Sequence, residues 1–171
     1  MSTPFAHVPL IARDVISTPL GAMTAMATAR GLAALLFDAD RYHPGPHDTV
    51  PLKPDDPHLR AVRDWLQGYW QDAAAPLPIP ALDLHGTPFQ RAVWQALLAI
   101  PAGHTWTYGA VARRVGPDSA PRATGTAIGR NPVAVLVPCH RVIGADGSLT
   151  GYASGLPLKQ RLLQHEGTLL V

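Results

Sequence analysis

The stretch TYGAVARRVGPDSAPRATGTAIGRNP, residues 107–132, carries the plainest architectural signal in the chain. Thr107 can cap a helix over Tyr108–Val115 by accepting from an orphan N–H of its first turn, and Gly116-Pro117 ends that helix. Ser119 is the expected cap of a second helix running through Arg122 to about Arg130, where Asn131-Pro132 stops it. Two short helices with a tight Gly-containing turn between them fit a helix-turn-helix. The second helix is nearly bare, since Ala123, Gly125, Ala127 and Gly129 offer little or no side chain. Bareness serves close helix packing, and it equally lets backbone approach a nucleic-acid groove, with Arg122 and Arg130 as wedge or phosphate clamp. Both readings stand at this point.

Immediately downstream, VPCHRVIG at residues 137–144 holds the single cysteine, Cys139. One thiol excludes an internal disulfide, a Cys-x-x-Cys pair and a multi-thiolate zinc site. An isolated cysteine is commonly a small buried hydrophobe. A reactive one needs a base or positive charge nearby, because a pKa of about 8.5 leaves little thiolate at neutral pH. His140 and Arg141 are candidates. Neighbours in extended chain point to opposite faces, so a Cys139–His140 relay requires a bend, which Pro138 favours, or a bridging water. A basic histidine needs a third group to hold its tautomer. Glu166 lies at the end of a helix expected over Leu158–Glu166, where the macrodipole disfavours an anion; by position alone it reads as a solvated surface glutamate, while a buried imidazole partner would explain its placement, and both readings stay open.

Upstream, TPFQ at residues 87–90 is a capping box opening a helix whose buried stripe is Phe89, Val93, Trp94 and Leu97. The tract AAAPLPIPA before it reads as an inter-domain linker, dividing residues 1–84 from 85–171. In the first part, runs at Asp14–Thr18, Ala22–Ala29 and Leu32–Phe37 read as a small antiparallel sheet, although the Ala-rich middle run could be helical. Leu59, Val62, Leu66, Tyr69 and Trp70 recur at helical spacing. His43, His47 and His58 lie around a Pro- and Asp-rich loop without a ligand framework, and no functional metal is expected.

Across the 171 residues, 47% are apolar, enough for a proper core, and no run is long enough to span a membrane. The opening MSTPFAHVPL lacks the regions of a signal peptide, which points to an intracellular protein. Charge is uneven. Residues 1–84 carry six basic side chains against nine aspartates, while residues 85–171 carry eight against three acids, so the second part suits a polyanion.

The constellation resembles the O6-alkylguanine-DNA alkyltransferases, closely from about Thr87 to Gly167 and in outline before that. Pro138-Cys139-His140-Arg141 with Val142 and Ile143 is that family's signature, here after Gly129-Arg130-Asn131-Pro132 and before GYASGLPLKQRLLQHEG. The resemblance implies an α/β (α+β) fold: a ribonuclease-H-like antiparallel sheet with a helix, then a mostly helical winged-helix-like domain with the helix-turn-helix. The first would support the second, which would bind DNA and catalyse. It implies single-turnover, irreversible transfer of the alkyl group of O6-alkylguanine, and of O4-alkylthymine, to Cys139, after the damaged nucleotide is flipped out of duplex DNA whose minor groove the helix-turn-helix enters.

By the same resemblance His140 acts through a water as base, Glu166 orients it, and Asn131 supports the turn between the helix-turn-helix and the cysteine. Tyr108 assists the leaving guanine, and Val142, Tyr152 and Ala153 line the pocket. Arg122, with Ala123, Gly125 and Arg130, contacts DNA. The resemblance implies no cofactor, no metal, no membrane partner, and a monomer, with clustering on DNA left open. Ser154 stands where the family pattern has glycine, and Ala153 where relatives often have serine. Two readings remain as alternatives from the residues alone: a thiol hydrolase, and a helix-turn-helix regulator with an incidental cysteine.

Overall fold

The computed structural model describes residues 5–43 and 49–168. The chain divides into two compact units, Met1–His85 and Gly86–Val171. In the first, strands β1 (Ala12–Thr18), β2 (Gly21–Ala27) and β3 (Leu32–Phe37) form an antiparallel sheet in that order. The Ala-rich run is therefore strand: Thr24, Met23 and Met26 give it cross-strand partners on both sides, such as Met23 opposite Ile16 and Phe37. β3 is buried along its whole length, and Ala34 and Leu36 join Met26 and Phe5 in a core cluster.

Helix α1 (Pro57–Gln71) begins where the Asp56 carboxylate accepts from the backbone of His58 and Leu59, with Pro57 in the first turn. It packs across all three strands. Leu59, Val62, Leu66 and Tyr69 are buried as the spacing requires, whereas Trp70 is only half-buried. Arg63 pairs with Asp14, which ties the helix to β1. The proline-rich tract is less free than a linker would be: Leu32 N–H donates to Ala81 O and Asp83 N–H to Leu32 O, both at 2.8 Å, so its end lines the sheet's β3 edge.

The second unit is mostly helical, completing the α+β architecture. Helix α2 (Pro88–Leu97) carries the full capping box, with Gln90 N–H to Thr87 Oγ1 at 3.1 Å and Thr87 N–H to Gln90 Oε1 at 3.0 Å. Val93, Trp94 and Leu97 are buried, while Phe89 reaches only partial burial. Then come β4 (Trp106–Thr107), α3 (Tyr108–Val115) and α4 (Pro121–Gly129). Thr107 caps α3 through Ala110 N–H at 3.1 Å. The expected cap of α4 is corrected: Ala120, not Ser119, is its N-cap, and no side chain caps it because alanine has no acceptor to offer; Pro121 takes the first helical position. A short β5 (Val142–Ile143) pairs in parallel with β4, and α5 (Leu156–His165) closes the unit.

Candidate active site

Cys139, His140 and Arg141 form a single 3₁₀ turn entered from Pro138. The bend expected at Pro138 is present, so adjacent side chains no longer alternate across an extended strand. All three residues of the turn are buried. The segment leading into it is tightly held. Val135 sits at φ 69°, a left-handed conformation that is unfavourable for a β-branched residue. The Asn131 side chain braces this segment by donating to Val137 O at 2.8 Å and Val133 O at 3.2 Å, while its carbonyl accepts from Val133 N–H at 3.0 Å. Asn131 thus fastens the end of α4 to a point two residues before the thiol.

Glu166, the residue that ends α5, has a fully buried side chain. Three contacts compensate it. His140 Nε2 lies 2.7 Å from Oε1, and Arg141 donates Nε to Oε2 at 2.9 Å and Nη2 to Oε1 at 2.8 Å. This fork-like pairing is the geometry in which arginine neutralises a carboxylate best. Arg141 Nη1 also donates to Ile100 O at 2.6 Å. Burial alone would raise the Glu166 pKa, yet the bonds from His140 and Arg141 hold it well below the usual carboxylate range.

For His140 the balance goes the other way. Complete burial pushes its pKa below the ordinary value and outweighs the attraction of Glu166, with Arg141 and Lys159 acting in the same direction as burial. An ionised carboxylate can only accept, so Nε2 carries the proton. The neutral ring then has its lone pair on Nδ1, a buried atom with no hydrogen-bond partner among the described residues. The arrangement is that of a base whose tautomer is fixed by its carboxylate.

Tyr108 follows β4 directly, and the pairing of Trp106 with Val142 and Thr107 with Ile143 brings it beside the cysteine segment. Its hydroxyl donates to Thr150 O at 2.9 Å. Any side chain on Gly151 would stand 3.4 Å from that hydroxyl, and one on Gly125 of α4 would stand 3.5 Å from the ring. The phenol therefore sits between the bare helix and the segment that carries Tyr152 and Ala153. Val142 and Tyr152 are buried, as is Ser154, and Ala153 is half-buried.

Helix α4 turns Thr124, Ala127 and Ile128 inward, and Trp94 Nε1 donates to Ala127 O at 2.9 Å to seat it on α2. Arg122, Ala123, Thr126 and Arg130 face outward. Arg122 makes no side-chain hydrogen bond or ion pair among the described residues. Among the small residues, Ala127 packs inward, while Ala123 leaves the outer face low.

The family described as 6-O-methylguanine DNA methyltransferase, DNA binding domain, matches residues 88–168. The methylated-DNA–protein-cysteine methyltransferase of Methanosarcina mazei is 42% identical over 153 residues, spanning 89% of this chain and 94% of its own. The chain belongs to the methylated-DNA–protein-cysteine methyltransferase family. The Mycobacterium tuberculosis member is 41% identical over 88% of this chain and 89% of its own length. The crystal structure of Mycobacterium tuberculosis OGT in complex with DNA superposes with a TM-score of 0.79 at 40% identity, covering 92% of this chain and 93% of that one.

The candidate methyltransferase site thus brings His140 and Glu166 into direct contact and links Asn131 and Tyr108 to the same segment. It does not involve the histidines of the first unit. His43 lies 3.3 Å from Thr24 Oγ1, His58 Nε2 is 3.3 Å from Ala29 O, and His47 lies outside the described residues. No group of three or more potential metal ligands occurs among the described residues. No helix there is long and apolar enough to cross a membrane.

Two site residues were missed in the sequence. From the sequence Arg141 reads only as a charge near the thiol, not as the fork that holds Glu166. Lys159 lacks any motif around it, although its position is legible: it lies three and four residues before Leu162 and Leu163, on the buried stripe of α5.

Proposed function

We propose that this protein repairs alkylated DNA by moving the alkyl group of O6-alkylguanine, or of O4-alkylthymine, onto Cys139. The observation that carries the reading is the buried Cys139–Arg141 turn, with His140 held between the thiol's neighbourhood and a carboxylate that Arg141 keeps ionised. His140 Nδ1 accepts the thiol proton, through a bridging water, and the imidazolium formed is stabilised by Glu166. The thiolate attacks the alkyl carbon in line. The S–C bond forms as the C–O bond breaks, the bonding pair leaves on the guanine oxygen, and the proton held by His140 returns to the departing base. Tyr108 stabilises the charge growing there.

A lesion stacked in a duplex is out of reach of a buried sulfur, so the nucleotide must be flipped, at a cost of a few kcal/mol. The outward face of α4 enters the minor groove, Ala123 and Gly125 admit close backbone approach, Arg130 meets phosphate, and Arg122 fills the gap left in the stack. Val142, Tyr152 and Ala153 receive the base. Residues 85–171 thus bind DNA and carry the chemistry, and residues 1–84 support them. The thioether is stable and the chain has no second cysteine to regenerate the first, so each molecule acts once. The protein acts as an intracellular monomer on nucleoid DNA.

The test is incubation with duplex DNA carrying isotopically labelled O6-methylguanine, followed by peptide mass mapping. One methyl group per molecule on Cys139 is expected. Folded protein that takes up no label, or that takes it up elsewhere, overturns the reading; repeated turnover on a thioester would replace it with a hydrolase.

A further inference from the structure

The inward face of α5 repeats at i, i+3, i+4 and i+7 as Lys159, Leu162, Leu163 and Glu166. Leucines at the two central positions are ordinary helix core. Charged residues at both ends are not, since lysine and glutamate are almost never fully buried unless paired. Glu166 has its partners in His140 and Arg141. Lys159, with no exposed surface, plays no part in the transfer chemistry as so far described.

Its ammonium reaches three carbonyls, Val142 O at 2.5 Å, Thr150 O at 2.8 Å and Gly151 O at 3.4 Å, and no carboxylate among the described residues. Val142 opens β5 directly after the cysteine turn. Thr150 and Gly151 precede Tyr152 and Ala153, and Thr150 O is also the acceptor of the Tyr108 hydroxyl. One cation therefore joins the strand after the cysteine turn, the 150–153 segment and, through a shared carbonyl, the phenol. The two ends of the same helix face grip the same active segment, Glu166 through His140 and Arg141, and Lys159 through Val142, about 10 Å apart along the axis.

Neutral carbonyls satisfy an ammonium's donors but leave its charge without an opposite. The titratable groups coupled to it are Cys139 and His140 on the turn, and the Tyr108 hydroxyl of α3 shares its Thr150 carbonyl. Burial brings the lysine pKa down to about 8, and the anionic form of Cys139 is what favours its protonated state. It remains mainly charged at neutral pH.

We propose that Lys159 is a positioning residue of the transfer site, a buried cation that clamps the strand following the Cys139 turn to the Thr150–Gly151 segment and acts as counter-charge to the Cys139 thiolate. The counter-charge rests on the reading of Cys139 as the nucleophile. Because the coupling is reciprocal, removing the sulfur's ability to ionise must also make Lys159 easier to deprotonate.

The chain has two lysines, Lys53 and Lys159, so biosynthetic ¹³Cε-lysine labelling gives two resonances whose pH titrations can be followed separately, Lys53→Arg supplying the assignment. The titration is repeated after methyl methanethiosulfonate has capped Cys139 as a neutral mixed disulfide. The Lys159 midpoint is expected to fall by about half a pH unit or more, with Lys53 unmoved. An unchanged Lys159 midpoint overturns the counter-charge. In parallel, the rate at which iodoacetamide alkylates Cys139 is followed against pH in Lys159→Met. A midpoint raised by about one unit, hence roughly tenfold slower reaction at pH 7, is expected. A wild-type midpoint in a folded variant reduces Lys159 to packing and overturns the proposal. If that variant does not fold, the wild-type titration decides alone. Neither probe contains O6-alkylguanine, so these outcomes and those of the DNA transfer assay are separable.

Discussion

His140 Nε2 lies 2.7 Å from Glu166 Oε1, and the same carboxylate receives Nε and Nη2 of Arg141. The arginine keeps the carboxylate ionised; the ionised carboxylate accepts a hydrogen bond from Nε2–H; Nδ1 is left as the basic atom. Glu166→Gln keeps the shape of this chain and removes its charge. The imidazolium then forms without its counter-ion, and the buried Arg141 loses its partner. Iodoacetamide alkylation of Cys139 should shift to higher pH and slow by at least tenfold at pH 7. The variant should also lose about 3 kcal/mol of stability in urea, as breaking a buried ion pair does. An unshifted pH curve would remove Glu166 from the relay.

Stability against acid follows from the same pair. His140 has a folded-state pKa below its ordinary 6.5, so as pH falls through 6.5 the unfolded chain takes up a proton that the folded one does not. Glu166 has a folded-state pKa depressed from 4.5, so the unfolded chain again binds more protons below that value. Both make stability decrease as pH falls, first below about 6.5 and again below about 4.5. Urea midpoints at pH 7.5, 5.5 and 4 should decline in that order, and His140→Gln should flatten the first step. A midpoint constant from pH 7.5 to 5.5 would contradict the burial of a neutral ring.

Asn131 offers a test of how the thiol is presented. Asn131→Ala removes three hydrogen bonds and leaves buried Val133 N–H in need of a partner, next to the left-handed Val135, while Val137 O keeps only the Cys139 N–H. A loss of about 2 to 4 kcal/mol is expected. In the surviving folded fraction the Cys139 segment should exchange its amides faster than α2, which hydrogen exchange can resolve residue by residue. Uniform exchange in both regions would mean the brace is dispensable.

Much of this was legible because it is encoded within a few residues. The Thr87/Gln90 box and the Thr107 cap each need a side chain and an N–H three positions apart, and both formed as read. The Glu166–His140 contact was one of two readings of an acid in the wrong place on a helix dipole, the other being a solvated surface position. What could not be read locally was the choice between Ser119 and Ala120 as cap, since Pro121 suits either, and the left-handed Val135, which only its surroundings impose. Arg141 and Lys159 depend on groups 25 and 17 residues away, Glu166 and the Val142 carbonyl. Even there the pattern held a clue, because a lysine on a leucine stripe demands buried acceptors.

Tyr108 separates chemistry from packing. Tyr108→Phe keeps the ring against Gly125 and loses the hydroxyl's two bonds with Thr150, donated to its O and accepted from its Oγ1. Stability should change by less than about 1 kcal/mol. Single-turnover transfer from O6-methylguanine DNA should fall by about tenfold while DNA affinity stays the same. A fall in affinity with an unchanged rate constant would assign the hydroxyl to binding instead.

Arg122 bears on how the lesion is reached. It projects from the first turn of α4 with no intramolecular partner among the described residues, while neighbouring Ala123 keeps the face low. A side chain that replaces a flipped base contributes only when there is a stack to invade. Arg122→Ala should therefore slow transfer from O6-methylguanine in duplex DNA by roughly a hundredfold, a loss of about 2.7 kcal/mol, which is the scale of the flipping cost it offsets. Transfer from the free base O6-benzylguanine should stay within about twofold of wild type, because no stack is present, and single-stranded DNA should fall between. Salt dependence separates this role from that of a phosphate contact: Arg130→Ala should reduce the salt slope of binding by about one. Equal slowing of Arg122→Ala on duplex and free base would show that the arginine shapes the site and does not open the helix.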